Sequence, residues 1–176
     1  RTGKLFGVDH WDVVPDIMTL GKALGGGVMP IAAMVAKNKW WDKMEENPFL
    51  LGSSTFGGNP LCCAAAIAGI HTILEDDIPK QAQEKGDYIV GKLNEIKSNY
   101  PNVLLDVRGA GLLIGLEFAE NHQGYELAKH LFSKKILVSG TINNAKVIRL
   151  EPPAVIGYEQ IDYLMASIKE GLAQIS

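Results

Sequence analysis

The segment that most constrains the fold is a pair of short apolar runs separated by glycines. The runs are "DIMTL" (16–20) and "IAAMVA" (31–36), and "GKALGGGVMP" lies between them. Apolar runs of this length, bounded by glycine and proline, are typical of fully buried strands. We therefore expect two buried strands of an α/β sheet in the first third of the chain.

Lys22 is the only charged residue between residues 17 and 36. A lysine at a strand end among apolar neighbours loses hydration, which disfavours its charged form. A neutral amine can form a Schiff base with an aldehyde such as pyridoxal phosphate. On this residue alone, a structural lysine whose ammonium group reaches solvent is the more common interpretation.

Three other glycine-containing motifs are excluded because the chain lacks residues that each of them requires. A phosphate-binding P-loop requires glycine and serine or threonine where Asp16 and Ala23 stand. A dinucleotide fingerprint beginning at Gly109 would need a third glycine where Ile114 stands. A nucleophile elbow is excluded because Phe56 occupies its last position. The four histidines show no metal-ligand spacing and are interpreted as surface or core residues: His10, His71, His122 and His130.

A second candidate site is the hydroxyl-rich loop "GSSTFGGNPL", which starts at Gly52. Three hydroxyl residues precede two glycines and a helix start with Asn59 as N-cap and Pro60 in the first turn. Hydroxyls and backbone N–H groups at a helix N-terminus favour an anion such as phosphate. An ordinary capped loop explains the same pattern equally well. The hydroxyl residues are Ser53, Ser54 and Thr55.

Arg149 is a third candidate, because it lies in the apolar strand pattern "VIRLEPP". Arginine in such a strand usually has a planar anionic partner. The partner is either the carboxylate of a substrate or a nearby side chain, Glu117 or Glu151. The residues alone leave both interpretations open.

The second part of the chain has the pattern of a compact α+β domain. The pattern begins with an amphipathic helix that ends before Pro101, followed by two strands around a Gly109–Gly111 turn. A helix, two more strands at 136–140 and 145–151, and a closing helix come next. Apolar residues at helical spacing form the inner faces of the first and last helices: Ala82, Ile89, Leu93, Ile96, Ile161, Leu164, Met165, Ile168 and Leu172. We place a domain boundary near residue 74, giving domains at 1–74 and 75–176.

Composition excludes several partner classes. With 17 basic and 20 acidic residues and a net charge of −3, the chain offers no basic surface for nucleic acid or for anionic membranes. It has neither an apolar membrane span nor the apolar region of a signal peptide, so we expect a cytoplasmic protein. Cys62 and Cys63 are adjacent and are expected to be buried free thiols.

Four motifs, in this order, carry a resemblance to a known family. They are "RTGKLF", "PDIMTLGKALGGGVMPIAA", "STFGGNPL" and "RLEPP". The chain resembles the latter half of a class III (ω-type) pyridoxal-phosphate aminotransferase subunit, along essentially its whole length. The resemblance implies part of the large α/β domain of the aspartate-aminotransferase-like fold (fold-type I), followed by the small C-terminal α+β domain.

The resemblance also implies roles for the candidate residues. Lys22 matches the lysine that forms the Schiff base with pyridoxal 5'-phosphate and then acts as general base and acid. Thr55, with Ser54 beside it, matches the threonine that reaches the cofactor phosphate of the other subunit in a homodimer or larger homo-oligomer. Arg149 matches the arginine that binds the carboxylate of the 2-oxo acid acceptor, 2-oxoglutarate. The likeness favours putrescine as amine donor, with ornithine and acetylornithine enzymes as near relatives.

Some residues that the family uses for the cofactor are expected upstream of Arg1. They are the phosphate loop, the ring-stacking aromatic residue and the aspartate at the pyridine nitrogen. Since the chain also begins without methionine, we expect a fragment that is inactive by itself and exposes part of the central sheet. Two alternatives remain open: an aminomutase of the same fold, against which Gly57-Gly58 in place of Ser-Gly argues, and a non-catalytic dimerisation fragment.

Overall fold

The computed structural model describes residues 1–45, 52 and 54–175 of the chain. It divides into two compact units. The N-terminal unit comprises Phe6–Asp77, and the C-terminal unit comprises Arg1–Leu5 together with Ile78–Ser176. The boundary between the two units lies after Asp77, three residues beyond the boundary predicted near residue 74. The first five residues of the chain belong to the C-terminal unit.

The N-terminal unit contains two strands and two α-helices among its described residues. They are β1 (Ile17–Leu20), β2 (Ala33–Ala36), α1 (Asn38–Glu45) and α2 (Pro60–Glu75). The strands pair antiparallel, with Ile17 opposite Ala36 and Leu20 opposite Ala33. Both strands lie where the sequence predicts them, but most of their side chains are exposed. The prediction of burial is wrong for this structure, because each strand has only the other as a strand partner among the described residues.

Helix α2 begins where its capping residue predicts. The Asn59 side chain accepts hydrogen bonds from the backbone N–H groups of Leu61 and Cys62 at 3.0 and 3.2 Å. Its apolar body remains largely exposed, with Ala66 as its one buried residue. Cys62 and Cys63 are free thiols, but they are half-buried rather than buried as expected.

The C-terminal unit combines a four-stranded antiparallel sheet with three helices. In chain order the elements are α3 (Ile78–Lys97), β3 (Leu104–Ala110), β4 (Leu113–Phe118), α4 (Asn121–Ser133), β5 (Ser139–Gly140), β6 (Val147–Leu150) and α5 (Tyr158–Ile175). The strand order is β3-β4-β6-β5. The predicted inner faces of α3 and α5 are buried together with the alternate residues Ile114, Leu116 and Phe118 of β4. The amphipathic pattern therefore identifies this core correctly.

Strand β5 is shorter than the five residues that the sequence predicts. The backbone N–H of Ile136 donates to the carbonyl of Leu131 at 2.9 Å. This bond ties residue 136 to the end of α4, and pairing with β6 begins only at Ser139. The two-residue strand that remains pairs Ser139 with Arg149 across the edge of the sheet.

The predicted glycine turn joins β3 to β4 and also holds the start of the chain. Gly111 has φ +51°, and a Cβ there would lie 2.5 Å from the Arg1 carbonyl oxygen. The Leu112 N–H donates to the same carbonyl at 2.8 Å. A side chain at residue 111 would push the first residues away, which explains why only glycine fits.

Candidate active-site residues

Lys22 lies just after β1, with Gly21 as the one residue between them. It opens a short 3-10 turn, Lys22–Gly25, and its backbone is left-handed with φ +51°. A lysine in this conformation costs about 1 kcal/mol or more and persists only when its surroundings impose it. The turn therefore holds Lys22 in a strained backbone conformation, in the segment of the chain that connects β1 to β2.

The side chain of Lys22 is exposed. No hydrogen bond or ion pair engages its amine among the residues that the structure describes. The expectation of a dehydrated lysine is wrong for this structure, since the neighbouring strands are themselves exposed. The geometry therefore provides an exposed primary amine that no described carboxylate pairs with and that a ligand can reach.

The glycines after Lys22 hold its turn against α2. Gly26 has φ +63°, and a Cβ added to Gly69 of α2 would lie 3.0 Å from the Gly26 Cα. Such close contact between backbones is possible only because both residues lack a side chain. The position of the Lys22 turn therefore depends on this glycine pair.

The hydroxyl-rich loop forms a tight turn before α2. The Gly57 N–H donates to the Ser54 carbonyl at 3.1 Å, and the Asn59 N–H donates to the Phe56 carbonyl at 3.2 Å. Ser54 and Thr55 are exposed, whereas Ser53 lies outside the described residues. Asn59 already caps the first turn of α2, and the hydroxyls of Ser54 and Thr55 are side-chain donors that the described part of this loop offers to an anion.

A concave region of about 730 Å³ lies between this loop and the segment before β2. Residues 29–33 line one side, and residues 54 and 56–63, apart from Pro60, line the other. A Cβ on Gly21 would lie 4.0 Å from the Cβ of Ala32, one of the lining residues. The residue before Lys22 thus adjoins the wall of a region that also contains Ser54.

Arg149 lies in β6 of the C-terminal unit and is half-buried. Its Nε donates to the Gly140 carbonyl at 3.2 Å, and its Nη2 donates to Ser139 Oγ at 3.3 Å. Its Nη1 lies 3.5 Å from a carboxylate oxygen of Glu151, an exposed and therefore weak ion pair. Of the two internal partners that the sequence suggests, the structure pairs Arg149 with Glu151.

Glu117 instead belongs to an ion-pair network that the sequence analysis missed. Arg108 Nη1 lies 2.6 Å from carboxylate oxygens of both Asp106 and Glu117. The hydrogen bond from Arg108 holds the pKa of Asp106 below its usual range. The charged residues Asp106 and Arg108 alternate along β3 and Glu117 lies on β4, and this pattern could have predicted the ion-pair network.

The candidate residues therefore fall into two groups. Lys22, Ser54 and Thr55 lie in the N-terminal unit, and Arg149 lies in the C-terminal unit. A primary amine is the nucleophile that an aldehyde requires, and hydroxyls can donate hydrogen bonds to a phosphate group, so Lys22, Ser54 and Thr55 fit pyridoxal phosphate. Within the described ranges, no three His, Cys, Asp or Glu residues gather as metal ligands. No described helix could cross a membrane either.

The family model for class-III aminotransferases matches residues 1–172. The chain therefore belongs to the class-III aminotransferase family, whose members use pyridoxal phosphate, and its mixed α/β architecture is that of fold-type I. This confirms the family resemblance that the four motifs carry.

Solved structures agree with this assignment. Acetylornithine aminotransferase from Elizabethkingia anophelis is 33% identical, with a TM-score of 0.88, over 99% of this chain and 43% of that one. Ornithine aminotransferase from Plasmodium yoelii is 31% identical, with a TM-score of 0.87, over 100% of this chain and 45% of that one. The chain thus spans less than half the length of these enzymes.

Proposed function

We propose that this chain serves an aminotransferase that moves an amino group from a diamine or ω-amino acid to 2-oxoglutarate. Putrescine is the favoured donor and ornithine the next. The donor becomes an aldehyde and 2-oxoglutarate becomes glutamate, so atoms and charge balance without an external oxidant. The observation that carries the proposal is the amine of Lys22, which is exposed, has no partner among the residues that the structure describes, and follows a left-handed backbone position.

Lys22 has two tasks in this proposal. Its Nζ holds the cofactor covalently between turnovers, for which a free primary amine is required. When bound, pyridoxal phosphate supplies an aldehyde carbon and an electron-withdrawing ring. As general base and acid, Nζ would take a proton from the amine-bearing carbon of the donor and would later deliver a proton to the carbon of 2-oxoglutarate that receives the amino group.

Ser54 and Thr55 would hold the cofactor phosphate with their hydroxyl groups. The resemblance assigns Thr55 to the cofactor of the other subunit, so the proposal includes a homodimer. The exposure of both residues is compatible with a ligand that a second subunit presents. Substitution of Thr55 by alanine should weaken cofactor binding about tenfold, since one hydrogen bond to a charged group is lost, whereas T55S should retain most of it.

Arg149 would bind a carboxylate of 2-oxoglutarate. Putrescine carries no carboxylate, so with this donor Arg149 acts only on the acceptor. After Nε has donated to Gly140 and Nη2 to Ser139, three N–H groups of the guanidinium remain, one of them facing Glu151, and they are sufficient for a carboxylate.

The donor is tested with the product of the complete open reading frame, loaded with pyridoxal phosphate. Turnover is measured with putrescine, ornithine, acetylornithine and 4-aminobutyrate, with 2-oxoglutarate as the common acceptor. We expect the highest kcat/KM with putrescine and a K22A variant without turnover. Turnover that needs no 2-oxoglutarate would favour the aminomutase alternative, and absence of both reactions would favour a non-catalytic chain.

The 176-residue chain alone provides a useful comparison. The resemblance assigns the aspartate at the pyridine nitrogen to a position outside these residues. We therefore expect the isolated chain to show no amine-dependent turnover with pyridoxal phosphate. Substantial turnover would contradict this expectation.

A further inference from the structure

The guanidinium group of Arg149 is held by strand β5 (Ser139–Gly140) on one of its edges. Ser139 lies directly opposite Arg149 in the β5–β6 register, so the two side chains project from the same face of the sheet. Ser139 Oγ accepts from Nη2 at 3.3 Å, and the Gly140 carbonyl accepts from Nε at 3.2 Å. The short strand thus contacts the guanidinium at two of its three nitrogen atoms.

These contacts determine which edge of the guanidinium remains for a ligand. A guanidinium carries five N–H donors, only one of which is on Nε. The Gly140 carbonyl takes that single donor. A carboxylate therefore cannot form a bidentate pair along the Nε side and must approach the Nη1–Nη2 edge.

Glu151 already occupies part of that remaining edge. It lies two residues after Arg149 on the same strand, and its carboxylate is 3.5 Å from Nη1. This distance exceeds that of a good charge-assisted hydrogen bond, and the Arg149 and Glu151 side chains remain 40% and 32% exposed. The pair is thus weak enough for another carboxylate to displace.

We propose that Ser139 positions Arg149 for the acceptor carboxylate and that Glu151 is the counter-ion which the acceptor displaces. This inference rests on the proposed function and adds two residues to it. Ser139 keeps the Nη1–Nη2 edge directed outward, and Glu151 lowers the affinity of that edge for carboxylates. The two residues therefore act on acceptor binding in opposite directions.

The test compares variants of the product of the complete open reading frame, loaded with pyridoxal phosphate, with putrescine as donor. We expect S139A to raise the KM for 2-oxoglutarate about three- to tenfold, because a hydrogen bond to a charged group is lost. S139T keeps the hydroxyl and should restore the KM. E151Q should lower the KM about threefold, since a competing negative charge is removed. None of these variants should change the KM for putrescine, which has no carboxylate.

S98A is the matched control. Ser98 is exposed at the end of α3, and its hydroxyl donates to the Glu95 carbonyl at 2.7 Å. Its removal should leave both KM values unchanged. Circular dichroism of each variant shows whether the fold is retained.

R149K separates a failure of this inference from a failure of the proposed function. If R149K raises the KM for 2-oxoglutarate but S139A and E151Q match the wild type, the roles of Ser139 and Glu151 are wrong and the role of Arg149 stands. If R149K also leaves that KM unchanged, the assignment of Arg149 to the acceptor is wrong. A lower KM for S139A or a higher KM for E151Q would also overturn the inference.

Discussion

The C-terminal unit buries a large apolar core, whereas the described residues of the N-terminal unit leave most of their large apolar side chains exposed. The clustered core consists wholly of residues from the C-terminal unit. Among the described residues of the N-terminal unit, only Ala66 is a buried hydrophobic residue, and Ile67 and Leu74 on the same helix are 58% and 55% exposed. An exposed apolar surface of this kind marks an interface. In the proposed enzyme, residues of the subunit outside this chain or the partner of a homodimer would cover this surface.

The same division separates residues that fold the chain from residues that react. Three of the four candidate site residues belong to the unit with little core: Lys22, Ser54 and Thr55. Strained backbone at Lys22 persists only where surrounding structure imposes it. Substitutions in the N-terminal unit should therefore affect activity more than stability. Core substitutions in the C-terminal unit should affect stability more than activity.

The largest predicted effect is that of K22A on turnover. Removal of the amine eliminates both the covalent attachment and the proton transfer, so kcat should fall by at least about 10³-fold. Because Lys22 is exposed and has no partner in the described part of the chain, K22A should change the free energy of unfolding by less than about 0.5 kcal/mol. Steady-state kinetics and urea unfolding check the two parts, and retained turnover would disprove the role of Lys22.

A matched pair of leucines tests the difference in burial between the units. Leu116 of β4 is fully buried, and L116A should lower the free energy of unfolding by about 2–5 kcal/mol. Leu74 of α2 is 55% exposed, and L74A should change it by less than about 0.5 kcal/mol. Urea titration of the two variants of this chain provides the measurement. Equal destabilisation would show that α2 is already packed in a core.

The glycine pair under the Lys22 turn allows a finer test. In G69A the new Cβ would lie 3.0 Å from Gly26 Cα, so the turn that carries Lys22 must shift. We expect kcat of the complete open reading frame product to fall about ten- to a hundredfold, since small displacements of a reacting group have such effects.

G91A is the control for this helix substitution. A Cβ on Gly91 of α3 meets nothing within 4 Å, so the change should leave kcat unaltered and stabilise the fold by about 0.5–1 kcal/mol. If G69A is as active as G91A, the Gly26–Gly69 contact does not position Lys22.

The smallest predicted effect concerns acid stability of the C-terminal unit. Arg108 lowers the pKa of Asp106 in the folded state below its unfolded value of 3.8. The resulting stability is present above pH 3.8 and is lost as the pH falls through the lower, folded pKa. R108Q should therefore be slightly less stable than the wild type near pH 6, and the difference should shrink in acid. The pH dependence of urea unfolding tests this, and a difference that grows in acid would contradict it.

Periodicity in the sequence was sufficient to predict the C-terminal core. The helical spacing of Ile89 and Leu93, for example, shows directly which face of α3 is buried. The same reasoning placed β1 and β2 correctly but predicted their burial wrongly, because composition does not show what covers a strand. The Schiff-base role of Lys22 comes from the family resemblance and stays a prediction, whereas the dehydration expected from its apolar neighbours is not seen in the structure. The contact between Ser139 and Arg149 depends on strand register, which the sequence pattern did not reveal.

The most direct test of the central claim is to identify the lysine that binds the cofactor. The complete open reading frame product is incubated with pyridoxal phosphate, reduced with borohydride, digested, and mapped by mass spectrometry. The proposal predicts that the cofactor mass is found on the peptide containing Lys22 and that K22A incorporates none. Stable labelling of another lysine, or equal labelling of K22A, would contradict it.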